Sequence, residues 1–112
     1  MQIESLKMNR MKFTVLVLLS LVSSFAYAEG DPEAGKSKSA VCAACHGADG
    51  ISSIPGYPHI AGQNYDYLVA QLMAFKAGER KNGNAAIMAP MATGLSEQDM
   101  KDLAAYYSQI SE

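Results

Sequence analysis

The sequence predicts an all-α domain, and three observations carry that prediction. Three segments pair a good helix N-cap with apolar residues at helical spacing. No run alternates apolar and polar residues in the way a half-buried strand requires. The connections are rich in Gly, Pro and Ser and long for so short a chain, as in a small domain whose loops wrap a ligand. The first helix is expected from Pro32 to about Val41, with Asp31 as N-cap, Pro32 at the first helical position and Glu33 complementing the dipole. The second runs from Tyr65 to about Lys76. Asn64 caps it, Leu68, Leu72 and Phe75 form one stripe with Val69 alongside, and Gly78 ends it. The third follows Ser96, whose spacing to Asp99 is a capping-box pattern, and reaches about Ser108 with Met100, Leu103, Ala104 and Tyr107 on one face. Gly47 to Gly62 and Gly78 to Gly94 are expected as loops.

The N-terminus reads as an export leader. Lys7, Arg10 and Lys12 precede an apolar run from Phe13 to Leu21, broken only by Thr14 and Ser20, and Ala26-Tyr27-Ala28 is a small-x-small cleavage pattern. The apolar stretch is about ten residues, against roughly twenty needed to span a bilayer. Residues 1–28 are therefore expected to be a secretory signal cleaved after Ala28, with start sites possible at Met1, Met8 or Met11, and no permanent anchor is expected. The remaining 84 residues, 29–112, form one domain with ten acidic and six basic side chains, a formal charge of −4 (eleven acidic less Glu4; nine basic less Lys7, Arg10 and Lys12). A mildly acidic domain with no basic run argues against nucleic acid as a partner. An apolar core of this size is marginal by itself and calls for a staple.

Cys42-Ala43-Ala44-Cys45-His46 supplies one. C-x-x-C-H is the spacing of covalent c-type haem attachment: two thiols that can add to haem vinyl groups as thioethers, and an adjacent imidazole for the iron. A thioredoxin-like C-x-x-C belongs beside a βαβ pattern, which is absent, and zinc needs about four ligands where the exported domain has one other histidine, His59. A disulfide closing so short a loop would constrain little of the unfolded chain. Haem c, one per chain, is the expected cofactor. For the second axial position the domain offers Met73, Met88, Met91 and Met100. Met73 and Met100 lie in expected helices and read as core packing. Met88 and Met91 lie in the expected loop, where Pro90 biases Ala89 to extended backbone and would turn the two sulfurs to different sides; local chemistry leaves the choice between them open.

From Glu33 to Ile110 the chain resembles class I bacterial cytochromes c, and one half of the dihaem periplasmic cytochromes c in particular. The stretches "AGKSKSAVCAACHGADG", "YPHIAGQNYDYLVAQLMAFKAGER" and "MAPMATGLSEQDMKDLAAYYS" carry the resemblance. It implies the small cytochrome c fold: three main helices and long loops around one covalently bound haem. It implies His46 and Met88 as axial ligands, because the ligand methionine in similar sequences stands seven residues before the Leu-Ser that opens the last helix, here Leu95-Ser96. Met91 is the alternative. Pro58, twelve residues after His46, is expected to accept the imidazole Nδ1 proton through its carbonyl. His59 is then a surface residue on the His46 side, a departure from relatives with a basic residue there. Gly35 would let the first and last helices cross against Tyr106 or Tyr107, and Arg80 could reach a haem propionate.

The function these features imply is that of a periplasmic one-electron carrier, not an enzyme. Its partners would be redox proteins such as a membrane-bound reductase or terminal oxidase, and its state a monomer or weak dimer. The alternatives are a haem c subunit of a periplasmic oxidoreductase, or a haem sensor or peroxidase with an open sixth position.

Overall fold

A computed structural model describes residues 29–111; the expected leader and its cleavage site lie outside the described residues. Those residues form five helices and no strand: α1 (Pro32–Lys38), α2 (Ala40–His46), α3 (Tyr65–Lys76), α4 (Ala85–Thr93) and α5 (Glu97–Ser108). The all-α expectation holds, but two helices exceed the three expected. The first expected helix divides at Ser39 and continues through the whole C-x-x-C-H segment. Ser37 and Ser39 explain the break. Their hydroxyls donate to the carbonyls of Ala34 (2.8 Å) and Lys36 (2.7 Å), competing with the backbone and tightening the turn. Ala40, Ala43 and Ala44 then favour resumed helix, and Gly47, at φ +85°, ends it directly after His46.

The second correction concerns Gly78 to Gly94. Helix α4 occupies residues 85–93 with Pro90 inside it, so Ala89 is helical rather than extended. The bias a proline places on its predecessor is smaller than the gain from packing an Ala-, Ile- and Met-rich segment against α3. Met88 and Met91, three apart on a helix, therefore share a face instead of pointing to different sides.

Helix α5 is the spine. Ser96 and Asp99 form the expected capping box, the Ser96 hydroxyl accepting from Asp99 N–H (3.0 Å) and the Asp99 carboxylate from Ser96 N–H (2.9 Å). Met100, Leu103, Ala104 and Tyr107 are each no more than 3 % exposed, which makes the expected stripe the core. Helices α1 and α3 both pack on α5. The α1–α5 crossing needs Gly35: a Cβ there would collide with the Asp102 carbonyl and lie 2.8 Å from Tyr106 Cβ. Met73 departs from expectation. It is 40 % exposed on the outer face of α3, because Leu68, Leu72 and Phe75 take the inward positions.

A polar clasp that the sequence did not reveal joins the first helix to the last. Asp102, 3 % exposed, accepts from Asp31 N–H (2.8 Å), Lys38 Nζ (2.6 Å) and Gln98 Nε2 (2.9 Å), while Lys38 also pairs with Asp99 at 2.8 Å. Burial works against the Asp102 charge, yet its partners outweigh that and hold the carboxyl below its usual range. Asp99, bonded to Lys38 and to Ser96, is held at about 2.

Candidate functional site

Helices α2, α3, α4 and α5 and the loop after α2 enclose a pocket of about 500 Å³. Cys42, Cys45 and His46 line it from α2, Leu68, Leu72 and Phe75 from α3, Ile87, Met88 and Met91 from α4, and Leu103, Ala104 and Tyr107 from α5. The C-x-x-C-H spacing on a helix explains the α2 contribution: positions 42, 45 and 46 are separated by three and four residues, so all three side chains share one face. Neither thiol is in a disulfide, and both are half-buried. Burial raises the Cys42 thiol above its ordinary pKa, partly opposed by the Tyr107 hydroxyl beside it.

His46 is 6 % exposed, and its Nδ1 lies 2.8 Å from the Pro58 carbonyl oxygen. A carbonyl only accepts, so Nδ1 carries the proton and Nε2 keeps its lone pair. The loop that brings Pro58 there is itself tied down. The Gly50 carbonyl accepts from Ile60 N–H (2.8 Å) and Ala61 N–H (3.1 Å), and Ser52 Oγ donates to the Cys45 carbonyl (3.0 Å). Ser52 N–H donates to His59 Nδ1 (2.8 Å), leaving His59 exposed beside the pocket. These loop contacts had no signature in the sequence.

On the other wall Met88 is half-buried and Met91 is 49 % exposed at the rim. Arg80 also lines the pocket; its guanidinium donates to Gln71 Oε1 (2.8 Å) and lies 4.4 Å from the centre of the Phe75 ring. The donors fit a flat, apolar iron macrocycle: two thiols on one helix face, an imidazole with one free nitrogen, a thioether sulfur, and hydrocarbon walls. Val41, Tyr67, Ile87 and Met91, each at least 44 % exposed, all line this pocket, so apolar surface is concentrated where such a plate would cover it.

Residues 32–111 match the cytochrome c family. The chain belongs to that family. A cytochrome c domain is an electron carrier with covalently attached haem c, one per domain, and Cys42 and Cys45 form its C-x-x-C-H-type motif. Among similar proteins, cytochrome c-554(548) of Halomonas halodenitrificans is 52 % identical over 79 residues, covering 70 % of this chain and 95 % of its own. The thiosulfate dehydrogenase electron acceptor of Thiomonas intermedia is 39 % identical over 97 residues, 86 % of this chain and 43 % of the relative. The solved structure of reduced recombinant cytochrome c4 from Pseudomonas stutzeri superposes with a TM-score of 0.65 at 44 % identity, covering 73 % of this chain and 46 % of that one. The chain spans about half the length of the cytochrome c4 relatives it matches. No helix among the described residues of this cytochrome c is long and apolar enough to cross a membrane.

Proposed function

We propose that this cytochrome c is a periplasmic one-electron carrier, exported by cleavage after Ala28, with haem joined to Cys42 and Cys45 and held axially by His46 and Met88. The observation that carries this reading is the buried His46 with Nδ1 engaged by Pro58 and Nε2 free, on the helix face that also bears both thiols. The haem supplies the one-electron couple; the chain does the rest. The Pro58 carbonyl fixes the imidazole tautomer and raises its basicity. Half-buried Met88 is favoured over rim-exposed Met91 because a ligand sulfur must be withdrawn from water, and a neutral thioether favours the reduced state relative to a thiolate. The apolar walls exclude water. Arg80, steadied by Gln71 and Phe75, is suited to a propionate.

Two axial protein ligands leave no site for a substrate, which favours a carrier over a peroxidase or sensor. Redox proteins are the partners of such a carrier. The relative named as a thiosulfate dehydrogenase electron acceptor favours an oxidoreductase of that kind as electron donor, beside a membrane-bound reductase or terminal oxidase. Denaturing electrophoresis with a haem-peroxidase stain tests attachment, with colour expected to stay on the band. Visible spectra of the reduced protein with and without carbon monoxide test the axial pair. A six-coordinate haem resists the gas; ready binding would favour the sensor or peroxidase reading.

A further inference from the structure

Tyr107 is 3 % exposed and lines the pocket from α5, and its hydroxyl is the one buried side-chain polar atom among the described residues without an ordinary hydrogen bond. A buried hydroxyl left unpaired is costly, and such groups call for a reason. Cys42 lines the same pocket from α2, and its sulfur and the Ser39 hydroxyl are the two groups that bear on the phenol, although neither meets it at ordinary hydrogen-bond geometry. Ser39 is already engaged, its hydroxyl donating to the Lys36 carbonyl at 2.7 Å. Burial, reinforced by Cys42, pushes the Tyr107 phenol well above its ordinary pKa, so it keeps its proton and is available as a donor.

We propose that Tyr107 is a positioning residue for the cofactor: its hydroxyl donates to the Cys42 sulfur and tunes the reduction potential through that atom. The proposal rests on Cys42 being a haem thioether, as argued above. A thioether sulfur has no proton to give and can only accept, so haem attachment turns an ambiguous thiol–phenol contact into one with a single sense. The positive end of the O–H dipole would then lie against the sulfur that carries the haem, inside a low-dielectric site, which would favour the form carrying the extra electron and raise the potential. Tyr106, its neighbour in sequence and 5.0 Å away between ring centres, packs instead at the Gly35 crossing and serves as a control.

The experiment uses the purified holoprotein and three variants, Tyr107→Phe, Tyr106→Phe and Ser39→Ala. Reduction potentials are read by potentiometric titration followed through visible absorption, and thermal midpoints are read alongside. Tyr107→Phe keeps the ring and removes only the hydroxyl. The expected result is a downward shift in its potential and a lower midpoint, with the potentials of Tyr106→Phe and Ser39→Ala unchanged. An unchanged potential in Tyr107→Phe overturns the proposal, as does an equal shift in Ser39→Ala, which would assign the hydroxyl to the serine. A midpoint that rises while the potential stays still would show a hydroxyl with no partner at all. A haem stain on the denatured wild-type band separates the two levels of argument. Colour lost there removes the thioether and both readings with it, whereas retained colour with an unmoved potential removes the tyrosine assignment alone.

Discussion

The two walls of the pocket are built on different principles. On the His46 side, backbone and side-chain hydrogen bonds of 2.8–3.1 Å join α2 to its loop and the loop to itself: His46 to Pro58, Ser52 to Cys45 and His59, and Gly50 to Ile60 and Ala61. On the Met88 side, α4 has no charged side chain, is interrupted by Pro90, and holds to the loop before α3 through Asn84 Nδ2 on the Gly56 carbonyl at 3.3 Å. Packing against α3 does most of the holding. A hydrogen-bonded wall keeps a ligand in one orientation, whereas a packed wall with few polar ties opens at lower cost. The Met side is therefore the one expected to yield first under heat, denaturant or competing ligands.

The largest effect should come from removing what joins the walls. Cys42→Ala combined with Cys45→Ala removes the covalent tie to the haem, and helices of 7 to 12 residues are not stable alone. The expected result is a chain without a cooperative thermal transition and open to protease. A transition near that of the holoprotein would show that the polypeptide core suffices.

Next in size is the α1–α5 clasp, which lies apart from both walls. Asp102→Ala strips the partner from Asp31 N–H, Lys38 and Gln98 and is expected to cost about 1–3 kcal/mol, read by denaturant unfolding of the holoprotein. Acid should act on the same clasp. The folded-state pKa of Asp99, about 2, and that of Asp102 both lie below the ordinary value of 3.8. Their contribution is thus complete above about pH 5 and is lost as pH falls through 3.8 toward 2. A stability profile flat across that window would contradict the role given to the clasp.

The walls themselves differ in a smaller, spectroscopic way. Met88→Ala should lose the sulfur-to-iron charge-transfer band of the oxidised protein and gain high-spin or exogenous-ligand character, with little change in the fold. Met91→Ala should keep the band. The opposite pattern would assign the sulfur to the rim residue. Smallest is the effect of ionic strength on electron exchange with a cationic partner. A domain with a formal charge of −4 is expected to react more slowly as salt rises, and a flat profile would point to apolar docking around the pocket mouth.

Much of this was legible in the residues. The N-caps Asp31, Asn64 and Ser96, the C-x-x-C-H segment and the stripe Met100, Leu103, Ala104 and Tyr107 are local patterns, and each stands where its spacing put it. What escaped depends on partners distant in sequence. Asp102 looks like an ordinary acidic residue on α5 until Asp31 and Lys38 arrive from α1, some 64 to 71 positions away. The path of the α2–α3 loop depends on Ser52 meeting His59 and Cys45, which no turn signal specifies.

By itself, then, the sequence determined chemistry that rests on short spacing: an all-α chain, one haem c, and two thiols with an adjacent imidazole, which the structure then set on one helix face. The tertiary structure decided whatever hangs on a balance between weak local preference and packing. It made a helix of the segment around Pro90, because withdrawing Met88 and Ala92 from water against the rest of the domain outweighs the proline's bias on Ala89. It also set Met88 inward and Met91 at the rim, and placed Tyr107 and Cys42, 65 residues apart in the chain, on the same pocket.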